Sequence, residues 1–268
     1  MRNLLRPLLL QSFRTGGLYL LIIALSLAIS ATTALKFSND QVKNAVSLQA
    51  AQMLAADLVL SNNEPIDAKW QKRADQLGLK HTNVTMFSSM AHTQDQFVMV
   101  NVKAIEPAFP LRGKLEIEPI ARGIQPGEVW LSQRAADLLK VKLGDMVSIA
   151  DAAFRFSGVI VRDSNQELGF SPTVIIHQAD IAKTHAIQTG SRIDYRLLMS
   201  GQPEQVQSFS RQFKQQHQPA NEQEETIGLR LRDASESNSR LLRPLENLDT
   251  FLQLANILTI LLCGMGLF

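Results

Sequence analysis

The side chains of this chain that could do chemistry are scattered along it. Five histidines, His81, His92, His177, His185 and His217, could bind a metal or move a proton, but none forms an H-E-x-x-H pair and no two have ligand spacing. They are expected to be lone surface histidines. The run Gly169-Phe170-Ser171-Pro172 starts like a nucleophile elbow, yet G-x-S-x-G needs a second glycine, and Pro172 would disrupt the helix that should follow. A loop turn is the simpler reading. There is no G-x-x-x-x-G-K-[ST], so the chain cannot cradle nucleotide phosphates in a P-loop. The acidic patch Glu222, Glu224 and Glu225 is expected to be a solvated loop before a strand. The sequence therefore predicts no catalytic, cofactor-binding or metal-binding residue, and its net charge of +2 predicts no nucleic-acid partner.

The elements around these residues are more informative. Residues 15–35, between Arg14 and Lys36, form an uncharged run of 21 residues, and a second uncharged run follows Asp249 to Phe268. As a helix the first would be about 31 Å long at ~1.5 Å per residue, close to the ~30 Å hydrocarbon thickness of a bilayer. Upstream of it, residues 1–14 place Leu4, Leu5, Leu8 and Leu9 on one face, broken only by Pro7, with Arg2, Arg6 and Arg14 around them. That pattern predicts an amphipathic elbow on the inner leaflet. Three arginines and no acid before residue 36 hold the N-terminus in the cytoplasm and send residues 36–249 across the bacterial inner membrane. A cleaved signal peptide is the alternative for the N-terminus, but the apolar run exceeds the usual 7–15-residue h-region. The exported stretch of 214 residues has no cysteine, Cys263 lying in the second apolar run, so it must bury a core without disulfides.

Residues 36–55 contain no Gly or Pro and are rich in Ala, Gln, Leu and Met, so the first helix is expected to continue beyond the bilayer as a stalk. A return stalk is expected over 233–249, with Asp233 and Glu236 resembling a capping box. Along it Leu241, Leu245, Leu248 and Leu252 fall at heptad-like spacing, with Pro244 as a flaw. These leucines pack either on the floor of the exported domain or on the first stalk, where Val42, Ala45, Val46, Gln49 and Met53 offer the facing surface. Transmembrane helices are thus expected at 15–35 and from 250, where the second is cut off at residue 268.

Between the stalks, 56–232 reads as α+β. Strands are expected at Ala56–Leu60, Asn83–Met90, Gln96–Ile105, Val129–Leu131, Met146–Ile149, Phe154–Val161, Thr173–Ile176, Arg192–Met199 and Thr226–Leu231. Helices are expected at Asp67–Leu77, from an N-cap at Ser132 through Lys140, and at Pro203–Gln216. Asn83–Met90 and Gln96–Ile105 read as a hairpin. Proline-marked seams near Pro119–Pro126, and Thr189-Gly190, bracket an inserted subdomain at about 114–190, giving two subdomains with one inside the other.

Several strings, read in this order, resemble one family. They are Ala55-Ala56-Asp57-Leu58-Val59-Leu60-Ser61, Ser88-Ser89-Met90, Val102-Lys103-Ala104-Ile105, Phe109-Pro110-Leu111-Arg112-Gly113, Pro126-Gly127-Glu128-Val129-Trp130 and Leu143-Gly144-Asp145. With the basic N-terminal helix and the stalk, they look like the FtsX-like ABC transporter permeases, and within them the YbbP-type branch with its MacB-like periplasmic core domain. Phe109 stands where that branch usually has Tyr. The resemblance implies a non-enzymatic permease subunit that pairs with a cytoplasmic ABC ATPase and converts its dimerisation into movement of the periplasmic domain. It further implies lipid-like or other hydrophobic cargo and, for this branch, a periplasmic lysophospholipase-like esterase as partner. Such permeases carry further transmembrane helices and a coupling helix, so the chain is expected to be an N-terminal fragment. A two-helix sensor has the same layout of basic tail, helix, exported domain and helix, and a membrane-anchored envelope enzyme is a third reading; sequence beyond Phe268 separates sensor from permease.

Overall fold

The computed structural model describes residues 17–119, 123–163, 172–188, 190–217 and 228–234. It divides into two units, Met1–Ser47 with Asn238–Phe268, and Leu48–Ser237. One α-helix, α1, runs from Gly17 to Leu54, through the segments read as span and first stalk. Two of its hydroxyls bond locally: Ser26 Oγ donates to the Ile23 carbonyl and Thr33 Oγ1 to that of Ile29. Among the described residues no helix is long and apolar enough to cross a membrane. Most side chains of residues 17–35, and all of the elbow at 1–14 and of 235–268, lie outside the described residues.

The second unit is built from short elements in mixed order. They are β1 (Leu58–Asn62), α2 (Ala68–Gln76), β2 (Lys80–His92), β3 (Phe97–Ile105), β4 (Leu115–Glu118), β5 (Glu128–Ser132), α3 (Gln133–Leu139), β6 (Met146–Ile149) and β7 (Ala152–Asp163). β8 (Thr173–His177), a 3-10 turn, α4 (Ile181–Thr184), β9 (Ile193–Ser200), α5 (Pro203–Gln216) and β10 (Arg230–Asp233) complete it. This is an α+β fold. The helices start where their caps are: the Asp67 carboxylate accepts from Lys69 N, and Ser132 Oγ accepts from Ala135 N. α3 ends at Leu139 because Lys140 adopts the left-handed conformation of a C-cap, one residue short of the expectation.

The first and last expected strands shift. The first strand begins at Leu58 instead of Ala56, because Ala55 has a φ of 59° and breaks the backbone out of the helix before any ladder can form. The last strand, expected over Thr226–Leu231, is Arg230–Asp233, in register with β1 through Leu58↔Asp233 and Ser61↔Arg230, and Thr226 and Ile227 lie outside the described residues. Strand β4 and helix α4 were not anticipated at all.

Six strands close into a ring. β2 pairs antiparallel with β3, β3 parallel with β8, β8 antiparallel with β5, and β5 parallel with β7. β7 then pairs antiparallel with β6, and β6 returns to β2 through Ala91↔Ile149 and His92↔Ser148. Alternate residues point inward, as the two-residue period of a strand requires. Val100, Val102 and Ala104, Val129 and Leu131, Val147 and Ile149, Phe154 and Phe156, and Val174 and Ile176 fill the interior together. Leu143-Gly144-Asp145 positions the turn into β6: Gly144 N donates to the Phe156 carbonyl at 2.8 Å and Phe156 N to that of Asp145 at 2.9 Å. Gly144 sits at a φ of +98°, where a side chain is strained.

Three further strands extend this ring from β2, and β4 joins it antiparallel at β7. β9 pairs with β2 and β1, and β1 pairs with β10. Here Leu58, Leu60, Leu197 and Met199 face α2 and α5, meeting Trp70, Ala74, Phe209 and Phe213. The intervening Val59 and Leu198 face the other way, into a layer with Ala55, Ala56, Ile105, Phe109, Ile117, Trp130 and Ile175. The segment read as an inserted subdomain, about 114–190, supplies β4 to β8 and so most of the ring, while β1, β9 and β10 come from outside it.

Candidate functional site

The strings Ala55-to-Ser61 and Phe109-to-Gly113 are some fifty residues apart in sequence and meet at one ion pair. Past Leu54, the left-handed Ala55 turns the chain, with Ala55 N donating to the Gln52 carbonyl and Ala56 N to that of Ala51. Both alanines are fully buried at the turn. Asp57 then acts as a hub. Its N–H donates to the Met199 carbonyl and its own carbonyl accepts from Ala234 N, each at 3.0 Å. Its carboxylate accepts from Arg112 Nε at 3.0 and 3.2 Å, from Arg112 Nη2 at 2.9 Å and from Gly201 N at 3.1 Å. Arg112 N donates back to the Ala55 carbonyl at 2.9 Å. The end of α1, the β3–β4 loop, the end of β9 and the residue after β10 are thereby tied together. The two-pronged hydrogen bond to Asp57 raises the Arg112 pKa further above its ordinary value, against the opposing effect of desolvation.

The same loop roofs a cleft of about 350 Å³ over the second apolar layer. Ile105, Phe109, Leu115, Ile117, Ile124 and Trp130 supply its apolar wall, and Glu106 and Glu116 its carboxylates. Glu106 is held rigidly, accepting from Thr82 Oγ1 at 3.1 Å, Asn83 N at 2.8 Å and Asn83 Nδ2 at 3.0 Å. Trp130 is 3% exposed, and its Nε1 has no acceptor among the described residues. Gly158 lies beneath it, where an added Cβ would come within 2.4 Å of Ile117 Cγ2 and 3.0 Å of Trp130 Cδ1. Behind Phe109 the Lys103 ammonium sits 5.3 Å from the ring centroid and pairs with Asp163 at 2.6 Å.

The histidines take structural places. His81 Nε2 lies 3.1 Å from Asp75 and His185 Nδ1 lies 3.4 Å from Asp151. His92 stacks on Phe97, His217 on Phe213, and His177 Nδ1 accepts from Ala179 N. Among the described residues no cluster of three or more His, Cys, Asp or Glu could hold a metal. Gly169 to Ser171 and Glu222 to Glu225 lie outside the described residues.

Of the expected stalk contacts, Val42, Ala45, Gln49 and Met53 lie exposed on α1 and Val46 is half-buried. Leu241, Leu245, Leu248 and Leu252 lie outside the described residues, as does Glu236. The recorded contact between α1 and the return leg uses Ala50, Ala51 and Leu54 against Ala234. At ~100° per residue this face is roughly a third of a turn from the one read in the sequence. Asp57 and Arg112, the centre of the junction, belong to no chemical motif in the sequence. Each is the lone charge in an apolar string, and that is the signal that could have paired them.

With this geometry the chain is similar over nearly its whole length to an ABC transporter permease, as the strings suggested. The relative is the uncharacterized ABC transporter permease YbbP of Escherichia coli (strain K12), 28% identical over 255 residues, covering 94% of this chain. The chain spans 31% of that relative's length. No family model matches the chain. Among solved structures, the periplasmic region of MacB from Actinobacillus actinomycetemcomitans has a TM-score of 0.47 at 12% identity, covering 71% of this chain and 95% of that one. The extracellular domain of the ABC-type transporter YknZ from Gram-positive bacteria has a TM-score of 0.44 at 12% identity, covering 66% of this chain and 100% of that one. Both TM-scores are below 0.5, and these two likenesses carry no weight for function.

Proposed function

We propose that the chain is part of a permease subunit of an FtsX-like, MacB-type ABC transporter in the bacterial inner membrane. A cytoplasmic ATPase subunit supplies the energy, residues 36–249 stand on the periplasmic side, and the protein itself catalyses no reaction. The observation that carries the reading is α1: one helix begins in an apolar run and ends in the Asp57–Arg112 junction, without a Gly or Pro between Leu18 and Leu54. A helix without a flexible break can pass displacement along its axis to whatever its end is bonded to. Asp57 is bonded to β9, to the residue after β10 and to the β3–β4 loop, so movement of the helix end reaches three parts of the domain together. The permease relative supports this reading over the two-helix sensor. Lipid-like cargo, and an esterase that receives it, follow from the family resemblance alone.

The junction provides the test. In the full-length protein with its ATPase, Arg112→Ala should leave ATP hydrolysis in place and cut the transported output severalfold. Asp57→Arg combined with Arg112→Asp should restore part of it. Undiminished output in Arg112→Ala, with the domain folded, would falsify the mechanical role of this pair.

A further inference from the structure

We propose that the outer face of the β2–β3 hairpin holds a soft monovalent cation, Cu(I), between the thioethers of Met90 and Met99 and the imidazole of His92. The register of the ladder places the three. Met90 stands opposite Met99, and on the next rung of that face His92 stands opposite Phe97. The alternate residues Ala91, Val98 and Val100 turn into the ring, so Met90, His92, Phe97 and Met99 point outward. The Met90 carbonyl accepts from Ala150 N at 3.0 Å, on the side away from β3. Met90 and Met99 are thus the type of antiparallel pair without mutual backbone bonds, whose side chains approach most closely. Their Cβ atoms are about 4.5–5.5 Å apart, and a diagonal neighbour such as His92 at about 7–8 Å is within reach of long side chains. Ser88 Oγ donates to Asn101 Oδ1 at 3.2 Å on one side of the group, and Thr93 N to the Gln96 carbonyl at 2.9 Å on the other, so the rungs between are fixed.

The donors are open and of one chemical kind. Met90 and Met99 are 42% and 60% exposed, so core packing does not explain two methionines opposed here. Each thioether turns about three bonds, which lets both sulfurs swing toward one ring nitrogen. Phe97 stacks on the His92 ring, with centroids 5.4 Å apart and planes at 13°, and steadies its orientation. The ring nitrogens have no hydrogen-bond partner among the described residues. Thioethers select Cu(I), whereas zinc is held by thiolate, imidazole or carboxylate. The neighbouring outward residues on these ladders are Ser88, Asn101 and Ser148, which supply neither thiolate nor carboxylate, and Asp95 is exposed in the turn. Met99 joins Met90 and His92 only across the ladder, so spacing along the chain does not display the group.

Ag(I) shares the charge and softness of Cu(I) and keeps its oxidation state in air, which makes silver nitrate in chloride-free buffer the probe. Cys263 is the single thiol of the chain, so Cys263→Ser is the background for every variant. Calorimetry on the full chain in nanodiscs should show one silver site. Loss of a ligand costs at least as much as loss of a group that merely orients one, so His92→Gln should weaken binding about 10- to 100-fold, and Met90→Leu with Met99→Leu further. Met-to-Leu changes nearly conserve volume and are well tolerated, and thermal melts establish folding. With methyl-13C methionine, silver should shift the Met90 and Met99 methyl signals and leave that of Met53 on α1 in place. If a variant does not fold, these shifts decide alone. Cu(I) held against bicinchoninate under ascorbate should rank the variants in the same order. Silver bound as tightly by the double variant as by its parent, or unmoved Met90 and Met99 signals, would overturn the site. Zinc sulfate bound as tightly as silver would overturn the choice of a soft ion. No ATPase is present in these measurements, so their failure leaves the permease reading standing, and a failure of the Arg112→Ala test leaves this site standing.

Discussion

Two cation–carboxylate pairs flank the second apolar layer, and their surroundings give them different weights. Arg112 and Asp57 keep contact with water, their side chains being 41% and 19% exposed, and such a pair stabilises by about 1–3 kcal/mol. Lys103 and Asp163 are 3% and 5% exposed and 2.6 Å apart. Removing one member of a buried ion pair costs about 3–5 kcal/mol, whereas replacing both with apolar groups is often neutral. Lys103→Met alone should therefore lower the denaturation midpoint sharply in chemical unfolding, and Lys103→Met with Asp163→Leu should recover most of the loss. A single variant as stable as the double would mean that the ammonium is not needed to balance Asp163. Lys103 was legible in the sequence only as a charge in the apolar string Val102-Lys103-Ala104-Ile105. Its partner lies sixty residues on, at the end of β7, and no periodicity links the two.

At the scale of elements, the sequence was most informative where a local cap or turn decides the outcome. Pro203–Gln216 was read to the residue because Pro203 opens the helix, and Gln202 and Gln205 complete a capping box. Asp67 and Ser132 likewise marked their helix starts. Elements whose existence depends on a distant partner were harder. β4 is four residues between proline-rich loops and is a strand because β7 offers it a ladder from Val159 to Asp163. β10 moved toward the C-terminus because β1 starts late, after the Ala55 turn. The ring of six strands was not legible at all, since its parallel pairs join residues such as Val102 and Val174. The stalk seam is a proposal at this scale. Leu241→Ala with Leu245→Ala in the full-length protein should uncouple ATPase activity from output while leaving the exported domain folded. Large-to-small changes at buried sites cost ~2–5 kcal/mol each, and far less at sites facing solvent or lipid. A double mutant with normal output, together with cysteines at Ala45 and Leu241 that never cross-link, would remove the seam.

For the molecule as a whole, orientation rests on Arg2, Arg6 and Arg14, with no acid before Asp40 to offset them. A reporter active only outside the cytoplasm should be active when fused at Lys140 and silent at Arg14. The reverse pattern would move the Asp57–Arg112 junction to the cytoplasmic side and end the permease reading. β1 and β10 carry one more consequence. The folded unit begins its first strand at Leu58 and finishes its last at Asp233, and these two residues face each other across one antiparallel ladder. Its beginning and end are thus about 5 Å apart, one strand spacing. A protein that holds this unit between two neighbouring segments therefore needs no slack to carry it.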